Sequence, residues 1–390
     1  MILTKCAVCA TELGLTLGKK CGRCRTRYCG PECQVQHWKE GGHDTFCKQI
    51  KRAGGAEQYY ANNNYAETVA VAVEKCAEDT KGQTCYICTR ALHLKTKEGL
   101  VRMCACRGTA GFAHVSCLAE QAKIVFAEAE EYNKPKNPAW ERWYTCSLCE
   151  QRYHGVVVCA LGWACWKTYL ERPGDDSVRM QAMHILSTGL GDANRHEEAL
   201  HVQGADMANR RRVTPRCIDS ELQIMNASAS SMHSLGRHDE ALKIYRFIYN
   251  IKVKRFGDDE STFITLKCFS DSLCQCAEEG KPHLWAENLA LLREKVPVAQ
   301  RVLGPHHPVM LQFRSALAYA IFTDESTSRD DRRAQVADFE DIARVARQVL
   351  GPAHPLTMNF ENNVDWVRGH PFYTGAPYVV GSNGRKSYIC

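Results

Sequence analysis

Fourteen cysteines and two histidines before residue 150 fall into tight pairs, and such pairs are chemistry for holding metal. The first cluster reads Cys6-x2-Cys9, Cys21-x2-Cys24, Cys29-x3-Cys33 and His43-x3-Cys47. The second reads Cys85-x2-Cys88, Cys104-x-Cys106, His114-x2-Cys117 and Cys146-x2-Cys149. Each cluster offers eight ligand groups, enough for two tetrahedral zinc ions. A CxxC pair turns two thiolates toward one ion, and an x3 pair places two ligands one helical turn apart. Zinc accepts mixed thiolate and imidazole ligands better than other metals do. The cofactor expectation is therefore four Zn²⁺ per chain. His37 lies in the same segment as His43, but His43-x3-Cys47 repeats the Cys29-x3-Cys33 spacing, so His43 is the preferred ligand. If alternate pairs of the second cluster share an ion, the chain crosses over between its sites. Two ions then pin a module with almost no hydrophobic core, unfolded without metal.

Composition bounds the setting. The chain has 390 residues and 22 cysteines, and "MILTKCAVCA" carries no apolar signal core. The expectation is an intracellular protein, cytoplasmic or nuclear, whose thiols stay reduced. The longest apolar run, "GVVVCALGWACW" at 155–166, is shorter than the roughly 20 residues a bilayer span requires. It predicts a buried helix and no membrane span. The formal charge is +6. Zinc-bound thiols are deprotonated, so fourteen thiolates and four Zn²⁺ bring that figure to zero. Lys19, Lys20, Arg23, Arg25 and Arg27 then read as counter-charges to sulfur, and no nucleic-acid partner is expected.

Those ligands need elements to hold them. "CGPECQVQHW" and "GGHDTFC" fit two short helices, and "EQAKIVFAEAEEYN" fits a longer one. Between the clusters, "KRAGGAEQYYANNNYAE" reads as linker, leading into a short helix over about 65–78 with Val69, Val73 and Cys76 on one face. After Gly155 the chain repeats itself. "RHEEALHV" at 195–202 returns as "RHDEALKI" at 237–244, and "VLGPHHPVM" at 302–310 returns as "VLGPAHPLT" at 349–357. A weaker copy of a repeat end is "RFGDDESTF" at 255–263. Such periods with helical patterning predict a solenoid of paired helices, in units of about 173–212, 213–256, 257–303 and 304–350 with a partial one after 351. In "LGPxHP", glycine stops one helix and the prolines cannot continue it. Cys268, Cys274 and Cys276 read as small buried residues, and His306, His307 and His354 as structural parts of repeat ends.

Three resemblances emerge from these residues. "CAVC…CGRCRTRYCGPECQVQHWKEGGHDTFC" resembles a MYND-type zinc finger. That resemblance implies Cys6, Cys9, Cys29 and Cys33 on one ion, and Cys21, Cys24, His43 and Cys47 on the other. It also implies a shallow groove for proline-containing peptides at Gln34 and Trp38. "CYIC…CACRGTAGFAHVSCL…WYTCSLC" resembles the RING-CH finger. It implies Cys85, Cys88, His114 and Cys117 on a third ion, and Cys104, Cys106, Cys146 and Cys149 on a fourth. Members of that family act mostly as E3 ubiquitin ligases, and Ile87, inside the first CxxC loop, is the implied E2 contact. RING fingers often place a ubiquitin-holding cation after the last cysteine; here Glu150 stands there, with Arg152 two positions on. The repeats resemble tetratricopeptide (TPR) units of the kinesin light chain type, whose concave face takes protein ligands.

The expected fold class is two small zinc-stabilised α+β modules followed by an all-α TPR-type helical solenoid. The expected domains are a MYND-type finger at 1–50, a linker with a short helix at 51–80, a RING-CH-type finger at 81–153, TPR-like repeats at 155–370 and a flexible tail at 371–390. Three functions fit these parts: an E3 ubiquitin ligase without a catalytic nucleophile, a zinc-dependent interaction scaffold, and a lysine methyltransferase. The third would need a SET-like glycine-rich segment and an Asn-His pair, which the sequence does not show.

Overall fold

The computed structural model describes residues 4–14, 17–212, 217–324, 326–370, 378–380 and 386–388. Two compact units divide the chain, Met1–Leu235 and Gly236–Cys390. The division falls inside the second expected repeat.

The first unit begins with a two-stranded antiparallel ribbon, β1 (Lys19–Lys20) and β2 (Arg27–Tyr28). Two short helices follow, α1 (Pro31–Lys39) and α2 (His43–Arg52). Pro31 opens α1, where a missing N–H costs nothing. Next comes α3 (Ala56–Lys75), which replaces most of the expected linker with a 20-residue helix. Its asparagines look unfavourable for a helix, but Asn62 accepts from Gln58 (3.1 Å) and Asn64 donates to the Tyr60 carbonyl (2.7 Å). The second cysteine cluster carries α4 (Val115–Glu131) and α5 (Asn137–Glu141). Beyond it run α6 (Gly155–Tyr169), α7 (Ser177–Asp192), α8 (His196–Arg210) and α9 (Ile218–Ser234).

The run predicted as a buried helix is α6, with Val157 to Trp166 wholly buried. It packs on α3 on one side and on α7 on another. One core gathers Ala61 of α3, Phe126 of α4, Trp140 of α5, Trp143, and Trp163 and Trp166 of α6. A second joins Val69 and Ala72 of α3, Leu100, Phe112 and Val115 of the cysteine cluster, and Val157 and Leu161 of α6. The expectation that the second zinc module has almost no core is therefore corrected. Its apolar residues are shared with helices outside it, which its own spacing could not reveal.

The second unit holds α10 (His238–Phe256), α11 (Glu260–Glu278), α12 (His283–Leu303), α13 (Pro308–Thr323), α14 (Arg329–Val349) and α15 (Pro355–Gly369). Each packs on the next, and α11 also packs on α13, so the helices stack into an array. Phe322, Phe339, Ile342 and Phe360 lie in its core. The two repeated motifs have local causes. Arg195 pairs with Glu198 and Arg237 with Glu240, both bidentate, while Asn194 (φ +60°) and Gly236 (φ +77°) make the same left-handed turn before them. In "LGPxHP", His307 and His354 cap the next helix by accepting from Val309 N (3.3 Å) and Leu356 N (3.1 Å), with proline in its first turn. The motif thus starts a helix as well as ending one. Of the tail expected to be flexible, the described residues form two paired strands, β3 (Tyr378–Val380) and β4 (Lys386–Tyr388); the rest lies outside the described residues. No helix among the described residues is long and apolar enough to cross a membrane.

Candidate metal centres

All four CxxC pairs close the same loop. The first cysteine's N–H bonds to a carbonyl five residues on, from Cys6 to Thr11 (2.8 Å), Cys21 to Thr26 (2.8 Å), Cys85 to Arg90 (3.0 Å) and Cys146 to Gln151 (2.9 Å). Its carbonyl accepts from the residue after the second cysteine: Ala10, Arg25, Thr89 or Glu150. Those four residues have φ of +56°, +63°, +58° and +57°, a left-handed conformation that L side chains resist. Glu150 therefore owes its backbone to the zinc loop. Thr89 is the most strained, being β-branched. Its replacement in Thr89→Gly is expected to stabilise the first unit by about 0.5–1 kcal/mol, since a left-handed penalty of about 1–2 outweighs glycine's extra chain entropy. Urea unfolding of both proteins measures this, and a destabilised variant would contradict it.

The loops and their partner segments gather four tetrads: Cys6, Cys9, Cys29 and Cys33; Cys21, Cys24, His43 and Cys47; Cys85, Cys88, His114 and Cys117; and Cys104, Cys106, Cys146 and Cys149. In each, the ligand atoms lie within 4.8 Å of one another. Sulfur separations include Cys9–Cys29 at 3.4 Å, Cys29–Cys33 at 3.5 Å, Cys21–Cys47 at 3.8 Å and Cys106–Cys146 at 3.8 Å. A disulfide would need about 2.05 Å. A tetrahedron with Zn–S bonds of about 2.3 Å puts its sulfurs roughly 3.8 Å apart. Two of the donor sets are all cysteine, and the other two join three cysteines to one histidine; both kinds are those of structural zinc. Charge points the same way. In the fourth tetrad the hydrogen bond from Cys104 holds the Cys146 thiol well below the ordinary thiol range, and that same bond, with burial, pushes Cys104 well above it. Four sulfurs so close share negative charge only around a cation. The chain thus holds four Cys/His tetrads, each able to bind a zinc ion.

His43 joins the second tetrad through Nε2, 3.4 Å from Cys24 Sγ, whereas His37 bonds to the Tyr28 hydroxyl through Nδ1 (3.0 Å). Burial lowers the pKa of both His43 and His114, which keeps them neutral as ligands must be. His114 Nδ1 faces Cys88 (3.3 Å) and Cys117 (3.6 Å), while its Nε2–H donates to the Ala91 carbonyl (3.3 Å) and fixes the tautomer. Glu98 seats the first turn of α4 by accepting from Ser116 N (2.7 Å) and Oγ (2.9 Å).

Residues 107–113 cross between the third and fourth tetrads. Gly111 has φ +86°, and a Cβ there would lie 2.6 Å from Cys106 Cβ and 2.9 Å from its Sγ. Only glycine passes so close to the ligands. Arg102 braces the crossing: it bonds Asp79 twice (2.6 and 2.8 Å), donates to the Gly108 carbonyl (2.7 Å) and lies over the Phe112 ring at 4.2 Å. Neither residue stood out in the sequence, although the shortness of the crossing was a signal for a glycine.

Among the implied partner contacts, Ile87 is 37% exposed. Leu148 holds the same third place in the last CxxC loop and is 50% exposed. The two loops are joined by a Tyr86–Ser147 hydroxyl hydrogen bond of 3.0 Å. Leu148 escaped the sequence reading, though its position repeats that of Ile87. On α1, Gln34 is half-buried, and Trp38 is 41% exposed with its edge toward the His43 ring at 5.8 Å. Cys268, Cys274 and Cys276 join no tetrad among the described residues.

Comparison with known proteins agrees in part. Residues 6–47 match the family model of the MYND finger. No curated protein matches the chain. Two solved structures of a Podosopora anserina protein, described as a kinesin light chain with nearly identical TPR-like repeats, are similar at 14% identity. They cover 59% of this chain and 96% or 97% of their own, each with a TM-score of 0.36. The chain thus carries a MYND finger at 6–47, a second pair of Cys/His tetrads able to bind zinc, and an array of stacked helices.

Proposed function

We propose that the chain is an E3 ubiquitin-protein ligase whose second zinc module receives a ubiquitin-loaded E2, while the MYND finger and the TPR-like helices hold partner proteins. One observation carries this reading. Ile87 and Leu148, on loops belonging to two different tetrads, expose apolar side chains from adjoining loops tied by Tyr86 and Ser147. Metal and hydrogen bond make a rigid apolar platform, the kind of surface on which a partner's hot-spot residues dock. Such a ligase needs no nucleophile. It holds the E2 thioester near an acceptor lysine, and rate comes from proximity and orientation. On α1, Gln34 and the half-exposed Trp38 supply a groove for a proline-containing peptide.

The scaffold reading has one observation in its favour. Arg152, the cation nearest the end of the zinc module, lies over the Tyr144 ring at 4.8 Å and so is already engaged within the chain. The discriminating experiment incubates purified zinc-loaded protein with E1, a panel of E2 enzymes, ubiquitin and ATP. Ubiquitin chains are expected. Replacing Ile87→Ala and Leu148→Ala together is expected to slow their formation about tenfold or more with four zinc ions retained. Absence of chains with every E2, or chains undiminished in the double variant, would sink the ligase reading and leave the scaffold.

A further inference from the structure

The basic residues of the first finger read as counter-charges to sulfur in the sequence, yet the fold gathers several of them elsewhere. Lys20 of β1, Arg25 of the second zinc loop and Arg27 of β2 line one side of a cavity of about 350 Å³. Arg179 of α7, more than 150 residues further along the chain, lines the other. Two carboxylates, Glu57 and Glu171, complete the charged lining. Glu57 is already paired with Arg179 at 3.1 Å. Lys20 and Arg25 are exposed and form no ion pair among the described residues. Four cations against two carboxylates leave a surplus of two positive charges around one concavity; the Arg27 guanidinium donates to the Gly14 and Leu13 carbonyls and that of Arg179 to the Leu170 (2.6 Å) and Arg172 (3.0 Å) carbonyls, which leaves Lys20 and Arg25 to reach a ligand. Like charges gathered in one concavity repel, and a bound anion relieves this.

We propose that this cavity binds a phosphate monoester group. Its surplus charge equals the charge of about −2 that such a group carries near neutral pH. The planar fork of Arg25 matches phosphate oxygens in pairs, and Lys20 adds a mobile point charge. The volume is at the small end of ligand pockets, which run about 300–1,000 Å³, so it admits the phosphate and the first atoms of whatever bears it. The site shares no residue with the zinc tetrads or the Ile87–Leu148 platform, although Arg25 directly follows the ligand Cys24, and it uses Arg25 at a backbone position that glycine would occupy without strain.

Isothermal titration calorimetry on the zinc-loaded full chain tests this with inorganic phosphate and with a phosphoserine peptide beside its unphosphorylated form. Saturable binding of a phosphorylated probe is expected, with loss of about tenfold or more in affinity in the Lys20→Ala, Arg25→Gly double variant. Arg25→Gly suits the left-handed backbone, and an unchanged content of four zinc ions shows the finger intact. Tighter binding of the peptide than of inorganic phosphate assigns the site to modified proteins; equal binding assigns it to small esters. Failure of both phosphorylated probes to saturate, equal affinity in the double variant, or preference for the unphosphorylated peptide overturns the proposal.

Discussion

A His114→Ala protein is expected to carry three zinc ions in place of four and to lose order in α3 and α6 as well as in the module that contains the mutation. His114 is fully buried and supplies the only nitrogen of its tetrad. Structural zinc contributes about 10–16 kcal/mol to small zinc-finger peptides. That compares with about 5–15 kcal/mol for the entire margin of a typical domain. Without the ion, Cys85 and Cys117 become buried thiols with no role. The apolar residues beside them, Leu100, Phe112 and Val115, are those that α3 and α6 pack against. Metal analysis gives the zinc count, and hydrogen exchange followed by region gives the extent of unfolding. Helices α13–α15 share a core of their own and should keep their protection. Three zinc ions with α3 and α6 still protected, or loss of protection in α13–α15, would contradict this account.

The second large effect is expected from Trp166→Ala, at about 3–5 kcal/mol of lost stability. Trp166 is 1% exposed, in the core common to α3, α4, α6 and α7. The Arg179 guanidinium stands over its ring at 5.3 Å and reaches Glu57 of α3 from there. Truncation therefore leaves a cavity and also removes the seat of an ion pair. Urea unfolding followed by circular dichroism measures the loss, and four bound zinc ions should survive it. A change below about 1 kcal/mol would mean that the tryptophan is not central to the core.

The metal centres were legible because zinc ligands are short-range patterns: two residues per loop, at spacings set by one ion. The pairing of loops across each module was not readable from spacing alone and entered through resemblance. The helix α3 was hidden for the opposite reason. Its Gly54-Gly55 lead and its run of asparagines have low helix propensity, and what holds it is burial against α6, about a hundred residues further on. The phosphate-sized cavity was equally hidden, since Arg179 joins Lys20 and Arg25 only once α7 is in place. The repeat motifs were easy to find, yet their histidines became intelligible as helix caps only when the backbone was seen.

The dependence of α3 on α6 also has a consequence in time. Tyr169, the end of α6, lies 94 positions after Lys75, the end of α3 (169 − 75). At about 5–20 residues per second, a ribosome takes roughly 5–20 s to supply the second after finishing the first. During that interval Val69 and Ala72 lack the Val157 and Leu161 part of their core, and for most of it the fourth tetrad lacks Cys146 and Cys149. The nascent chain must therefore wait, partly metallated and with an apolar helix face open, until a later segment arrives to close it.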